Sequence, residues 1–124
     1  MKWEKKNYKI ATKSGEERSY DGHTNGIFAH NFACTLTHLK SGLKIADFNR
    51  EADVQRVGDY LAATYRDEFE AFGKAIKRKM TMKQIGELPE AQTLIAKLKA
   101  DDYLRQQIKE FGLKKEEACD GGNN

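Results

Sequence analysis

The sequence has no run of apolar residues near the roughly 18 needed to cross a bilayer, which excludes a membrane-spanning helix. Cysteine occurs twice, at Cys34 and Cys119, too sparse for a disulfide-stapled scaffold. The phosphate-cradling patterns G-x-x-x-x-G-K-[ST] and G-x-G-x-x-G are absent, and with them the nucleotide sites they build. Met1-Lys2-Trp3-Glu4-Lys5-Lys6 is basic but leads into polar sequence with no apolar stretch behind it, so a secretory signal is not expected. A cytoplasmic protein with free thiols is the resulting expectation.

What is present suffices for a core. Of 124 residues, 39% are hydrophobic and 33% charged, and one Trp, five Tyr and six Phe argue against disorder. A chain of this length buries about two-thirds of its unfolded surface and needs no staples. Neither a long repeat nor a linker is visible. The sequence predicts a single α+β domain over 1–113 and a disordered tail over 114–124, which ends in Cys-Asp-Gly-Gly-Asn-Asn.

The first 48 residues read as strands. Tyr8, Ile10 and Thr12 alternate with Lys9, Ala11 and Lys13, and Arg18 and Tyr20 alternate again after Lys13-Ser14-Gly15. The same tripeptide returns as Lys40-Ser41-Gly42, so two hairpins and about four antiparallel strands are expected. Between them Asp21-Gly22-His23-Thr24-Asn25-Gly26 reads as a loop. Residues 27–39 are long for one strand and should bend or break near His30-Asn31.

From Asn49, a candidate N-cap, the period becomes helical. Val54, Val57, Leu61, Tyr65, Phe69, Phe72 and Ile76 form one apolar stripe. An unbroken helix over 50–79 would be about 45 Å long, so a break near 64–67 or at Gly73, or a projecting end, is expected. Two or three short helices follow. Thr81 and Gln84 suggest a capping box, Pro89 a first helical position, Asp101 a cap, and Gly112 a left-handed stop with Leu113 folding back on Ile108.

The histidines are the natural place to seek a site. His30, Cys34 and His38 share one parity, but residues four apart on a strand stand about 13 Å from each other, and ligands share a metal at about 2 Å. Ligands at i and i+2, or on neighbouring strands, would be required. Cys34, between Phe32 and Leu36, reads as a core thiol with a raised pKa. Cys119 lies in the predicted tail, where catalysis lacks fixed geometry. No catalytic residue, metal set or cofactor is therefore expected.

Charge is the remaining signal. The net +3 is built from separated patches: five lysines against one glutamate over 1–13, five cations and no acid over 74–83, and seven acids against three arginines over 47–70. Lys5, Lys6, Lys9, Lys74, Lys77, Arg78, Lys79 and Lys83 are the candidate contact residues. Trp3 and Tyr8 lie among the first lysines, the mixture a single-strand groove uses. The pI near 8.8 falls below the usual footprint of nucleic-acid-binding domains.

Thr37-His38-Leu39-Lys40-Ser41-Gly42-Leu43-Lys44-Ile45, followed by a helix, resembles a hairpin–helix pattern in small proteins of phages and mobile elements. There a Thr-His pair precedes a Ser/Thr-Gly turn and Pro usually stands in place of Lys40. The resemblance covers about 25 residues, a span read from the sequence itself. It implies an accessory protein, for instance an inhibitor of a host nucleic-acid-processing or defence complex. The expected function is thus non-enzymatic docking on a protein or nucleoprotein partner. Direct nucleic-acid binding through the basic patches is the alternative, and a small enzyme without a recognisable motif the third reading.

Overall fold

The structure, a computed structural model, describes residues 2–11, 16–31, 34–77 and 79–113. Among these residues, five antiparallel strands lie side by side in chain order: β1 (Glu4–Ala11), β2 (Glu17–Thr24), β3 (Phe28–His30), β4 (Thr35–His38) and β5 (Lys44–Asp47). Five helices follow: α1 (Glu51–Thr64), α2 (Arg66–Ala75), α3 (Met82–Gly86), α4 (Pro89–Ala100) and α5 (Asp102–Phe111). The α+β class is as expected, but the sheet has five strands rather than four. Of the bend or break expected near His30-Asn31, the structure shows a break: β3 ends at His30, Cys34 takes a left-handed φ of 57°, and β4 starts afresh at Thr35.

Two turns differ from their sequence reading. Residues 21–24 are not loop. They continue β2, and the turn contracts to residues 25–27. Gly26 takes φ +96°, a conformation that side-chain-bearing residues rarely adopt. Asn25 Oδ1 accepts from the Ile27 and Phe28 N–H groups at 3.0 and 2.8 Å. Thr24 Oγ1 donates to the Phe28 carbonyl at 2.7 Å and accepts from Gly26 N–H at 3.0 Å. The first Lys-Ser-Gly turn falls at residues 13–15, outside the described residues, as does the expected tail. The strands that this turn was expected to join do pair, with Tyr8 opposite Tyr20 and Ile10 opposite Arg18.

The second Lys-Ser-Gly turn joins β4 to β5 as expected, with Gly42 at φ 74°. Its lock is a buried pair. Ser41 Oγ accepts from Leu43 N–H at 2.9 Å and lies 2.8 Å from His38 Nδ1. His38 stacks on Phe72 and packs against Phe28 and Phe69. The Thr-His-x-x-Ser-Gly motif is thus a turn clamp.

The predicted long helix breaks at Tyr65, where ψ reaches 33°. Val54, Val57, Leu61, Phe69 and Phe72 are all buried against Phe28, Leu36 and Phe48 of the strand region. Asn49 is not the cap: Arg50 holds the N-cap position without a side-chain capping bond, and Asp53 is buried between Arg50 and Arg56. The capping box of Thr81 and Gln84, Pro89 at the start of α4, and Asp101 as the cap of α5 are all as read. Gly112 is extended rather than left-handed, at φ −71°. A Cβ there would fall 2.3 Å from the Ile108 carbonyl oxygen, so the glycine supplies room for a close approach. Leu113 does not fold back: it is 46% exposed, and its N–H bonds to the Asp47 carbonyl.

Asp101 joins the two helix junctions. It accepts from Leu104 N–H at 2.7 Å, from the Tyr60 hydroxyl at 2.7 Å and from the Tyr65 hydroxyl. Burial raises its pKa, but these donors outweigh burial and hold the carboxyl below its usual range. Asp101→Ala removes a cap and the partner of two tyrosines, and should cost about 2–3 kcal/mol in urea unfolding. Asp101→Asn keeps an acceptor and should cost about half as much. Equal stability of Asp101→Ala and the parent would remove Asp101 from this role.

Candidate functional site

Two clefts flank the β2–β3 hairpin. The first, about 460 Å³, is lined by Lys5, Asp21, Gly22, His23, His30, Asn31, Cys34 and Glu51. Register builds its wall. Lys5 lies opposite His23, and His23 opposite His30, so three side chains form one row across β1, β2 and β3. Directly opposed side chains on one sheet face lie about 5 Å apart at Cβ. The two imidazoles stack with centroids 5.2 Å apart and planes at 16°. Gly22 lets β2 come this near, since a Cβ there would meet the His30 carbonyl oxygen at 2.4 Å.

Helix α1 closes the row from above. Its first residue, Glu51, places Oε1 3.5 Å from His23 Nδ1 and 3.9 Å from His30 Nε2. One turn on, the Gln55 amide nitrogen lies 2.9 Å from His30 Nε2 and 3.3 Å from Glu51 Oε1. His30 Nδ1 lies 3.1 Å from the Asn31 carbonyl, an acceptor only, so Nδ1 carries the proton and Nε2 the lone pair. Burial lowers the His30 pKa, which favours this neutral form. One donor atom each from His23, His30 and Glu51 lie within 4.8 Å of one another.

The second cleft, about 200 Å³, sits between the β4–β5 turn and α2. Ile27 and Phe69 supply an apolar floor, with Gly26 and Gly73 at its edges. Lys40, Arg66 and Lys74 stand around it against Glu70, and His38 forms part of the wall.

The sequence-predicted residues divide between these places. Lys5 lines the first cleft and Lys74 the second, so these members of the two basic patches face different clefts. Lys6 and Lys9 are exposed on β1, with Lys6 on the opposite face from Lys5 by strand alternation. Lys77, Lys79 and Lys83 are exposed beyond α2, and Arg78 lies outside the described residues. The aromatics expected to stack on bases are committed elsewhere: Tyr8 is buried, and Trp3 packs over Gly58 with Nε1 bonded to Asp59 at 2.9 Å.

His30, Cys34 and His38 do not share a strand face. The chain break leaves His30 and Cys34 on the first cleft and His38 on the second. Cys34 is buried, and burial raises its thiol pKa as expected. The partner of His30 is His23, which the loop reading of 21–26 concealed. A strand reading through Asn25, with Gly26-Ile27 as a two-residue turn, would have paired them.

No protein family, curated protein or solved structure matches this chain. Among the described residues, no helix is long and apolar enough to cross a membrane.

His38 gives this region a pH signature. Burial, and secondarily the Lys40 charge, lowers its pKa to about 4. The unfolded chain, with an imidazole near 6.5, therefore binds a proton that the folded chain refuses. The stabilisation is complete above about pH 6.5 and lost as pH falls towards 4, a change of roughly 3 kcal/mol. His38→Leu should remove most of this slope in urea unfolding between pH 7 and 4, leaving the contribution of His30 in the same direction. A parent stability that stays flat over that range would contradict the burial of a neutral His38.

Proposed function

We propose that this chain acts by docking, without catalysing a reaction, on a macromolecular partner that presents an acidic segment with an apolar side chain. The observation that carries the reading is the second cleft: three cations, Lys40, Arg66 and Lys74, around the apolar floor of Ile27 and Phe69, with Glu70 the one acid among its lining residues. Its volume of about 200 Å³ is below the 300–1,000 Å³ range typical of small-molecule sites, and suits one or two inserted side chains. The exposed Lys77, Lys79 and Lys83 extend the positive field that would steer an acidic partner. His38 and Lys40 come from the turn whose sequence resembles mobile-element proteins, so we place the partner among host nucleic-acid-processing or defence complexes.

Direct nucleic-acid binding is the weaker reading. A single-strand groove needs exposed rings beside its cations. Phe69 and Tyr8 are buried, and Trp3 is held against α1.

The discriminating experiment compares the parent with Lys40→Glu/Lys74→Glu in pull-downs from the native host. A stoichiometric partner should persist at moderate salt with the parent, bind the double variant at least about tenfold more weakly, and remain on Lys6→Glu. Recovery of the same partner by all three proteins would sink this surface. Nucleic acid recovered with a steep inverse dependence on salt would favour the weaker reading.

A further inference from the structure

We propose that His23, His30 and Glu51 form a binding site for one divalent transition-metal ion, with its open coordination positions facing the first cleft. The argument begins with donor placement. Two imidazoles come from directly opposed positions on adjacent strands and a carboxylate from the first residue of a helix, so three separate elements aim at one point. Register places the two imidazoles opposite each other, and His30, only 2% exposed, is held in place by burial.

The outer contacts have the form that metal-binding histidines require. A ligating imidazole gives its other N–H to a carbonyl or carboxylate, which fixes ring and tautomer. His30 does this with the Asn31 carbonyl, leaving the Nε2 lone pair turned towards Glu51. The Gln55 amide nitrogen now donates to both His30 Nε2 and Glu51 Oε1. Two acceptors thus converge on one electropositive group, as they would on a cation, and rotation of the half-buried Gln55 side chain admits the ion. The donor atoms, within 4.8 Å of each other, need contract only to the roughly 3.3 Å spacing of ligands held at 2.0–2.2 Å. His23 is 34% and Glu51 55% exposed at the side chain, so both can make that adjustment.

Donor chemistry selects the ion. Two neutral imidazoles and one carboxylate suit Zn²⁺, Fe²⁺, Co²⁺ or Mn²⁺, whereas Ca²⁺ and Mg²⁺ take oxygen donors. Three protein ligands leave at least one position for water or an exogenous group, and that position opens on a cleft with Lys5 and Asp21 in its walls. A structural site would instead be closed by a fourth side chain.

The test uses the full chain without a histidine tag, stripped with chelator and titrated with Co²⁺ and then Zn²⁺. Calorimetry should give one equivalent, and the Co²⁺ form should show the visible d–d absorption of a nitrogen–oxygen site. His23→Ala and Glu51→Gln alter exposed side chains, so they should fold and yet bind at least about tenfold more weakly. Cys34→Ser/Cys119→Ser should bind as the parent does. On adding Zn²⁺, nitrogen-15 resonances of His23 and His30 should shift while those of His38 stay in place. Absence of stoichiometric binding would mean a hydrogen-bonded polar cluster only, and would overturn the proposal. So would binding that survives both His23→Ala and Glu51→Gln, or binding lost only with the cysteines.

Discussion

Only two residue pairs, His23 with His30 and Thr24 with Ala29, align β2 against β3, so the ladder itself does little to fix their register. The turn over residues 25–27 does. Asn25 Oδ1 holds two successive N–H groups, Thr24 Oγ1 ties both ends, and Gly26 supplies the left-handed residue. Asp59 of α1 then accepts from Asn25 Nδ2 at 3.3 Å and from Trp3 Nε1, joining the turn to the helix and to the start of β1. A slip of one residue would send His23 to the opposite face of the sheet. It would also move Ile27 out of the floor of the second cleft. Both clefts therefore inherit their geometry from one short turn.

The helical layer is organised by buried carboxylates as much as by its apolar stripe. Asp53, 1% exposed, sits between Arg50 and Arg56 one turn to either side. Burial pushes its pKa up, and the two guanidinium groups bring it below the usual range. Removing one partner of such a pair leaves an uncompensated buried charge. Arg56 also lies over the Phe111 ring at 4.9 Å, so the start of α1 is coupled to the end of α5. Asp101 does the same for the α1–α2 and α4–α5 junctions. Glu51 enters the first cleft from a helix end that this network holds in place.

Much of this order is legible in the residues, because local chemistry decides it. The apolar spacing from Val54 to Phe72, the Thr81–Gln84 box, Pro89 and Asp101 each act within one or two turns of chain. Length alone requires the long helix either to break or to project, and the break at Tyr65 is one of those two outcomes. What escapes the sequence is set by contacts between elements. Gly22 looks like a loop glycine and is instead a strand residue making room for the His30 carbonyl. Gly112 looks like a left-handed stop and is needed for its lack of a Cβ. Glu51 reads as a carboxylate answering the helix dipole, and nothing local reveals that α1 carries it to two histidines. The cations were visible, but not their division between two clefts, since that depends on which face each strand residue takes.

The two clefts lie at opposite ends of one hairpin with different chemistry, one of nitrogen and carboxylate donors and one of cations over an apolar floor. Their common origin can be tested in solution. Interstrand nuclear Overhauser contacts on the uniformly labelled chain should pair His23 with His30 and Thr24 with Ala29. They should also place the Asn25 side-chain amide beside Asp59. Contacts that instead pair His23 with Ala29 or Asn31 would separate the histidines onto opposite faces and contradict the account at its root.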